Sequence, residues 1–279
     1  MPGAVSGIVT LTTDFGLDDG YVAQLHGTLL NVSPTLRIVD LSHAVPHSDV
    51  AGALTTSLFL TESVWPRFPA GTVHVVVVDP GVGSARSLVA IETPGAWLVG
   101  PDTGVLSSGL PDAIRPVNGI ARATLPFGHR ARDIQSTPLA GDTVSRTFHG
   151  RDLIAPVAGA LALGGALEST GPSVRDVAVA ATLASPILEG AGTGRILHVD
   201  RFGNAITSFR AAAAGESFEI VVAGQVVSGP ASSYASAGAE IVALPSSNGY
   251  LEIALANGSA AAALGLERGT PVVLRRGAA

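Results

Sequence analysis

The sequence lacks two residue types that carry much of protein chemistry. It contains no cysteine, which excludes disulfides, thiolate catalysis and cysteine-based metal sites. All 16 of its basic residues are arginine, so it has no lysine. The absence of lysine excludes Schiff-base catalysis, the anchoring of pyridoxal phosphate and the lysine-dependent phosphate loop. These exclusions hold even if codon bias is the cause of the missing lysine.

The sequence also has little charge and no long apolar run. Charged residues make up 14% of the chain, the net charge is −6 and no basic run occurs. Because binding to nucleic acids and acidic membrane surfaces depends on basic residues, neither is expected as a partner. No stretch reaches the roughly 18 apolar residues of a membrane helix, and the N-terminus has no basic region typical of a signal peptide. We therefore expect a cytoplasmic protein.

The N-terminal half has the pattern of an α/β domain. Strands are predicted at 8–13, 36–41, 72–78, 88–92 and 97–100. Helices are predicted at 20–31, capped by Asp18 or Asp19, at 49–60, capped by Ser48 or Asp49, and at 150–164. The alternation predicts an α/β/α sandwich with a mostly parallel sheet covered by helices on both faces. Residues 118–147 have little periodicity and are predicted to be loop with at most one strand.

The C-terminal part changes character. The stretch "TLASPILEGAGTG" at 182–194 has the composition of a linker. Short strands follow at 195–199, 205–209, 218–222, 241–244, 250–254 and 271–275. Short strands between regular turns predict a small all-β barrel or sandwich. Together with the length of 279 residues, this pattern predicts domains at 1–182 and 194–279, joined by a linker at 183–193.

Three predicted strands end in or beside an acid: Asp14, Asp40 and Asp79. In open α/β sheets ligands bind beyond the carboxyl ends of the strands, which makes these acids candidates for a site. Asp79 opens the glycine-rich segment "DPGVGSAR", which ends in Arg86. The loop can fold the guanidinium back onto the carboxylate, forming either a held base or merely a structural ion pair in a turn.

Histidines supply a second set of candidates. His149 lies at the start of a predicted helix, where the helix dipole favours the neutral imidazole of a general base, although the local sequence fits a plain helix cap at least as well. The segment "DLSHAVPHSD" holds possible metal ligands, but its spacing matches no firm motif; these are Asp40, His43, His47 and Asp49.

Two C-terminal motifs combine turn residues with groups that can bind a ligand. "VDRFGNAITS" places Asp200, Phe202 and Asn204 between two strands, where Asn can read an adenine edge and Asp can bind an amine. "SSNGYLEIA" places Ser247 and Asn248 before a strand. Hairpin chemistry alone also accounts for both motifs.

Seven motifs in this order resemble the S-adenosylmethionine hydroxide adenosyltransferases, which are relatives of the fluorinase and chlorinase enzymes. They are "TDFGLDDGYVAQLHG", "VDLSHAVPHSDVAGA", "FPAGTVHVVVVDPGVGSAR", "GPDTGVL", "TFHGRDLIAPVA", "VDRFGNAITS" and "SSNGYLEIA". The resemblance spans about residues 8–275 and is weakest over 118–147. It implies an N-terminal α/β/α domain, a barrel-like C-terminal domain and a homotrimer whose active sites lie between subunits. The implied reaction converts S-adenosylmethionine and water to adenosine and L-methionine, with no metal and no cofactor.

The resemblance also implies roles for single residues. The family's hydroxide-handling triad falls on Asp79, Arg86 and His149. The substrate-binding residues fall on Asp14 for the ribose diol, Asp200 for the methionine amine and Asn204 for adenine. Ser247 and Tyr21 fall at the methionine end, and Phe202 is a further substrate-binding residue. Asn248 stands where the halogenases have an arginine, which leaves the partner of the methionine carboxylate open.

Three other functions compete with hydrolysis. A chlorinase or fluorinase would use a halide, but an anionic Asp79 repels a halide in a dry site. A non-catalytic sensor of S-adenosylmethionine or a nucleoside would need no base, so it leaves the triad unexplained. A metallohydrolase would use the histidine- and aspartate-rich segment at 40–49.

Overall fold

The valine run at 75–78 lies in the first of two compact units. The computed structural model describes residues 5–47 and 49–277. The units comprise residues 1–182 and 183–279. None of the helices in the described part of the chain is long and apolar enough to cross a membrane.

The described residues of the first unit form nine strands and three α-helices. The strands are β1 (Ile8–Thr13), β2 (Arg37–Ser42), β3 (Thr72–Val77), β4 (Leu88–Glu92), β5 (Ala96–Pro101), β6 (Ile120–Thr124), β7 (Arg130–Asp133), β8 (Ser173–Val174) and β9 (Asp176–Ala180). The helices are α1 (Tyr21–Val32), α2 (Val50–Val64) and α3 (Ala155–Ala162), with a π-helical turn, Gly150–Ile154, directly before α3.

Seven of these strands form one mixed sheet. Its order is β2-β1-β3-β5-β4-β7-β8, and β6 pairs separately with β9. The first four strands run parallel, whereas β4, β7 and β8 join antiparallel. The alternating side chains of β3 explain why the strand is buried throughout. Val75 and Val77 belong to the core on the α1 and α3 face, and Val76 and Val78 to the core on the other face, so the predicted helix-covered sandwich is confirmed.

The second unit is a barrel-like antiparallel sheet. Its strands are β10 (Ala191–Val199), β11 (Ala205–Arg210), β12 (Phe218–Val222), β13 (Gln225–Gly229), β14 (Ile241–Pro245), β15 (Tyr250–Leu255) and β16 (Pro271–Arg276), with one helix, α4 (Ala260–Leu264). The order is β13-β12-β16-β10-β11-β15-β14, and every pair is antiparallel. The all-β expectation for this part of the chain is confirmed.

Several local predictions are wrong. Residues 118–147 contain two strands, β6 and β7, whereas at most one was expected. Neither Asp18 nor Asp19 caps α1, whose N-cap is Gly20 without a side-chain hydrogen bond. The helix predicted at 150–164 begins with the π-helical turn and its α-helical part ends at Ala162. Ser48, one of the two caps predicted for α2, lies outside the described residues, and Asp49 takes that position.

Candidate active site

Two of the three strand-end acids meet at one edge of the sheet. Thr13 of β1 is paired with Val77 of β3, so the residues that follow these parallel strands emerge side by side. Asp14 and Asp79 both line a cavity of about 50 Å³ there. The other lining residues are Phe15, Val77, Val82, Thr147, Phe148, His149 and Gly150. The site thus lies where ligands bind in open α/β sheets.

Asp79 is held by Arg86, as the spacing of the two residues allowed. Nε of Arg86 donates to both carboxylate oxygens, at 2.7 Å and 2.8 Å, and Nη2 also donates to Oδ2. The side chains of Arg86 and Asp79 are only 9% and 6% exposed. Such a buried bidentate pair fixes the position of the carboxylate and keeps its counter-charge in place.

The loop between these residues is shaped by glycine. Two turns, closed by hydrogen bonds from Val82 N to Asp79 O and from Ser84 N to Gly81 O, bring Arg86 back towards Asp79. Gly83 has a φ of +80°, and a Cβ atom there would lie 2.8 Å from the carbonyl oxygen of Arg146. A side chain at position 83 would therefore be strained and would push the loop away from the segment that leads to His149.

Arg86 also contacts His149. Its Nη2 lies 3.1 Å from Nδ1 of the imidazole, and His149 is 6% exposed. A guanidinium can only donate, so Nδ1 accepts and the ring proton belongs on Nε2. Burial, and next the charge of Arg86, lower the pKa of His149, although Asp79 and Asp152 oppose the shift. His149 is thus a neutral imidazole with Nε2 as its donor.

The start of α3 places His149 close to β3. The turn Gly150–Ile154 is π-helical, with Ala155 N bonded to Gly150 O, and π turns are frequent at functional sites. A Cβ atom on Gly150 would lie 2.8 Å from Cγ1 of Val77. Glycine therefore permits the close approach that brings the imidazole beside the strand-end acids.

Aromatic rings form one wall of this site. Phe15, Tyr21 and Phe148 pack with ring centroids 5.4 to 5.9 Å apart. Tyr21 is 47% exposed, so one side of this cluster is open. Asp14 lies next to the cluster in sequence. Burial is the main cause of the raised pKa of Asp14, and the charge of Asp79 adds to it.

The C-terminal candidates line a separate, larger pocket within the second unit. Its volume is about 660 Å³, and its lining includes Asp200, Phe202, Asn204 and Ser247. Asn248 is not among the lining residues, because its Oδ1 accepts from the hydroxyl of Ser246 within the turn. The structure thus places four of the five C-terminal candidates at one pocket.

Asp200 and Asn204 build the turn at the edge of this pocket. Oδ1 of Asp200 accepts from the backbone nitrogens of Phe202 and Asn204, both at 2.9 Å. Oδ2 accepts from Nδ2 of Asn204 at 3.0 Å. Asp200 and Asn204 therefore both stabilise the turn and line the pocket.

Sequence reasoning missed two residues of this pocket, Tyr234 and Glu252. The hydroxyl of Tyr234 donates to Oε1 of Glu252. Glu252 is the one charged residue of β15, "YLEIAL", and it is only 4% exposed. A lone acid within an apolar strand was the available signal.

The possible metal ligands are engaged in other contacts. Oδ1 of Asp40 lies 2.9 Å from Nε2 of His26 and 3.1 Å from Nε2 of His43, inside β2 rather than at its end. Asp49 caps α2 by accepting from Gly52 N at 3.0 Å. Within residues 5–47 and 49–277, no three His, Asp or Glu residues are arranged to hold a metal.

Comparisons with known proteins show which family the chain belongs to. The profile of the SAM hydroxide adenosyltransferase N-terminal domain matches residues 9–171, and that of the C-terminal domain matches residues 194–273. An (R)-S-adenosyl-L-methionine hydrolase of Thermus thermophilus is 40% identical over 278 residues, covering 95% of this chain and 98% of the relative. One of Salinispora tropica is 41% identical over 199 residues, covering 70% and 69%.

A solved structure has the same fold over nearly the whole chain. It is described as an uncharacterized conserved protein from Thermotoga maritima, with a TM-score of 0.82 and 27% identity, and the match covers 96% of this chain and 100% of that one. With both domain profiles matched in order and a relative 40% identical over nearly its whole length, the chain belongs to the SAM hydroxide adenosyltransferase family.

Proposed function

We propose that this chain hydrolyses S-adenosyl-L-methionine to adenosine and L-methionine. The observation that carries the proposal is the convergence of Asp79, Arg86 and His149 beside a cavity of about 50 Å³. A cavity of this size can hold a water molecule. The names and identities of the two hydrolase relatives support the same reaction.

The reaction needs a positioned nucleophile more than it needs an activated leaving group. In the proposed step, a water oxygen attacks C5′ in line with the C5′–S bond, and the bond electrons neutralise the sulfonium to the thioether of methionine. The attacking oxygen must then lose one proton. Orientation and exclusion of bulk water are therefore the main contributions that the site has to make.

The contacts of the triad divide this work. With Nδ1 occupied by Arg86, His149 is assigned as the group that donates from Nε2 to the water oxygen and orients it. If Nδ1 accepted the water proton, its N–H would point at the N–H of Arg86 Nη2. The proton is therefore assigned to the carboxylate of Asp79. Arg86 holds both partners and is a positioning residue.

The remaining candidates are assigned to substrate binding. Asp14 would accept hydrogen bonds from the ribose diol, and the aromatic wall with Tyr21 would face the sulfonium, whose charge is attracted to ring faces. The C-terminal pocket would hold the base at Asn204 and Phe202 and the amino-acid end near Asp200 and Ser247. No direct contact is assigned to Asn248, whose Oδ1 accepts from the hydroxyl of Ser246 within the turn.

Two finer features follow from the resemblance and the relatives. No cofactor is required, and a homotrimer would complete each site with residues of a neighbouring subunit; light scattering would measure the oligomeric state. Because both relatives are named for the (R) compound, we propose preference for the (R) sulfonium epimer. Turnover of the separated (R) and (S) epimers measures that preference.

A halogenase is the nearest competing function. It would need a halide where Asp79 carries its buried negative charge, only 6% exposed. Coulomb repulsion between two anions is strong in a buried site, which favours neutral water over chloride or fluoride. Formation of a 5′-halogenated nucleoside in excess halide would overturn the hydrolase assignment.

Incubation with S-adenosyl-L-methionine, followed by chromatography of the products, tests the proposal. We expect adenosine and methionine in equal amounts. Asp79→Asn keeps the shape of the side chain but removes the proton acceptor, so kcat should fall roughly 100- to 10,000-fold. Glu92→Gln is the matched control, since Glu92 pairs with Arg130 outside the site. Turnover by Asp79→Asn at the wild-type rate would refute the assignment.

A further inference from the structure

Glu252 is a buried carboxylate of the C-terminal pocket that the proposed mechanism leaves unused. It lies in β15, paired with Ile206 of β11 and Leu244 of β14, and it is 4% exposed. Tyr234 donates to Oε1, which fixes the carboxylate in one orientation. Oε2 has no hydrogen-bond partner among the described residues. The pocket wall therefore presents one oriented acceptor.

The pocket concentrates negative charge without a resident cation. Asp200 lines the same pocket, and neither Asp200 nor Glu252 forms an ion pair within residues 5–47 and 49–277. Burial raises the pKa of Glu252, and the charge of Asp200 adds to this while the Tyr234 hydrogen bond opposes it. Two neighbouring carboxylates in a buried site repel each other when both are charged, and a positive charge that binds between them relieves this repulsion.

Glu252 has more free acceptor capacity than Asp200. The two oxygens of Asp200 already accept three hydrogen bonds from its own turn. Oε2 of Glu252 carries none, so an incoming donor gains most there. A cation that also donates hydrogen bonds fits this arrangement. A sulfonium has no N–H group, and an exocyclic purine amine is neutral, so the ammonium of an amino acid fits best.

We propose that Glu252, oriented by Tyr234, binds the α-ammonium group of the substrate and selects ligands that carry it. The assignment rests on the proposed function, because S-adenosyl-L-methionine is the substrate that brings an ammonium to this pocket. Asp200 then contributes its charge from the turn, while Glu252 supplies the direct hydrogen bond.

Binding of S-adenosyl-L-homocysteine separates this proposal from catalysis. Its sulfur is a neutral thioether, so it presents the same ammonium and base without a leaving group. Titration calorimetry would compare it with the deamino analogue, in which hydrogen replaces the ammonium. Wild type should bind the amino compound roughly 10- to 100-fold more tightly, the usual contribution of a charge-assisted hydrogen bond. Glu252→Gln should lose most of this preference and bind the deamino analogue unchanged.

Two further variants complete the test. Tyr234→Phe should lose part of the preference, because it frees the carboxylate to rotate. Glu219→Gln is the control, since Glu219 is an exposed acid in β12 of the same unit. Near-ultraviolet circular dichroism would establish that each variant is folded.

Three results would overturn the proposal. In the first, folded Glu252→Gln still prefers S-adenosyl-L-homocysteine over the deamino analogue as strongly as wild type does. In the second, wild type binds neither of these two ligands. The third uses the 6-oxo purine analogue: if Glu252→Gln loses discrimination between the amino and oxo bases instead, the carboxylate reads the base. Because no bond is broken, these outcomes stand whatever the turnover of Asp79→Asn proves to be.

Discussion

Nη2 of Arg86 lies 3.1 Å from Nδ1 of His149, while the same guanidinium holds both carboxylate oxygens of Asp79. One side chain thereby fixes the position of an acid and the tautomer of an imidazole. Because a guanidinium can only donate, protonation of His149 at Nδ1 would break this contact.

The pH dependence of turnover should report the state of His149. Its pKa is lowered, first by burial and next by Arg86, so the neutral form persists below the ordinary histidine value of about 6.5. Activity should be complete above that pH and be lost as the pH falls through the lowered pKa. A profile of kcat/KM from about pH 4 to 9 measures this. An acid limb centred above the ordinary value would contradict the assigned tautomer.

Removal of Arg86 should move the pKa of His149 upwards. Arg86→Gln deletes the neighbouring positive charge but leaves Asp79, whose charge favours the imidazolium. Nuclear magnetic resonance titration of the imidazole carbons measures the pKa directly, without need of turnover. Arg122→Gln is a control, because Arg122 pairs with Asp102 instead. An unchanged His149 pKa in Arg86→Gln would mean that the two residues are not coupled.

Gly150→Ala should lower both stability and activity. The added methyl would meet Cγ1 of Val77 at 2.8 Å, and overpacking of this kind costs about 1 to 3 kcal/mol. It would also displace His149, the preceding residue. Chemical denaturation and kcat measure the two effects.

Val77→Ala offers the matched rescue for that substitution. It removes the two methyl groups that the new Cβ would meet. The double variant should therefore recover part of the activity lost in Gly150→Ala, even though Val77→Ala alone leaves a small cavity. Equal activity of the single and double variants would show that the contact does not position His149.

His74 should make the first unit sensitive to acid. It is 3% exposed, stacks on Trp65 at 4.8 Å and contacts the hydroxyl of Thr10 at 2.8 Å. Burial lowers its pKa from 6.5 to about 4. Between pH 6.5 and 4 the imidazole is therefore protonated in the unfolded chain but neutral in the folded chain. The free energy of unfolding is at its full value above pH 6.5 and decreases by about 3 kcal/mol as the pH falls towards 4.

Unfolding in urea at several pH values tests this loss for His74. His74→Phe keeps an aromatic ring against Trp65 and cannot titrate. As the pH falls, the free energy of unfolding of wild type should decrease more than that of His74→Phe. A difference that does not vary with pH would remove His74 as the source.

Parts of the fold and site that depend on local pattern could be predicted from the sequence. The apolar run of β3 indicated a central strand, and the spacing of Asp79 and Arg86 allowed the pair that the structure contains. The contact of Arg86 with His149 could not be derived from the residues, because 63 positions separate them and only the packing of α3 on β3 joins them.

The missed elements lacked a usable signal. Residues of β6 are mostly exposed and include Arg122, so no alternation of apolar and polar residues marks the strand. Asp40 was expected at a strand end, but β2 continues to Ser42 and leaves the acid facing His26 and His43. In both cases pairing with a neighbouring strand, which the sequence does not record, decides the outcome.

The π-helical turn at Gly150–Ile154 sets the direction in which the preceding residue, His149, points. A π turn contains one residue more than an α turn, and each residue of an α-helix advances the chain by about 100°. Deletion of a single residue there would leave a regular helix with its buried face intact, yet it would rotate everything upstream, His149 included, away from Arg86. Phe148, which lies in the core of the first unit, would move with His149, so such a deletion should lower stability as well as activity.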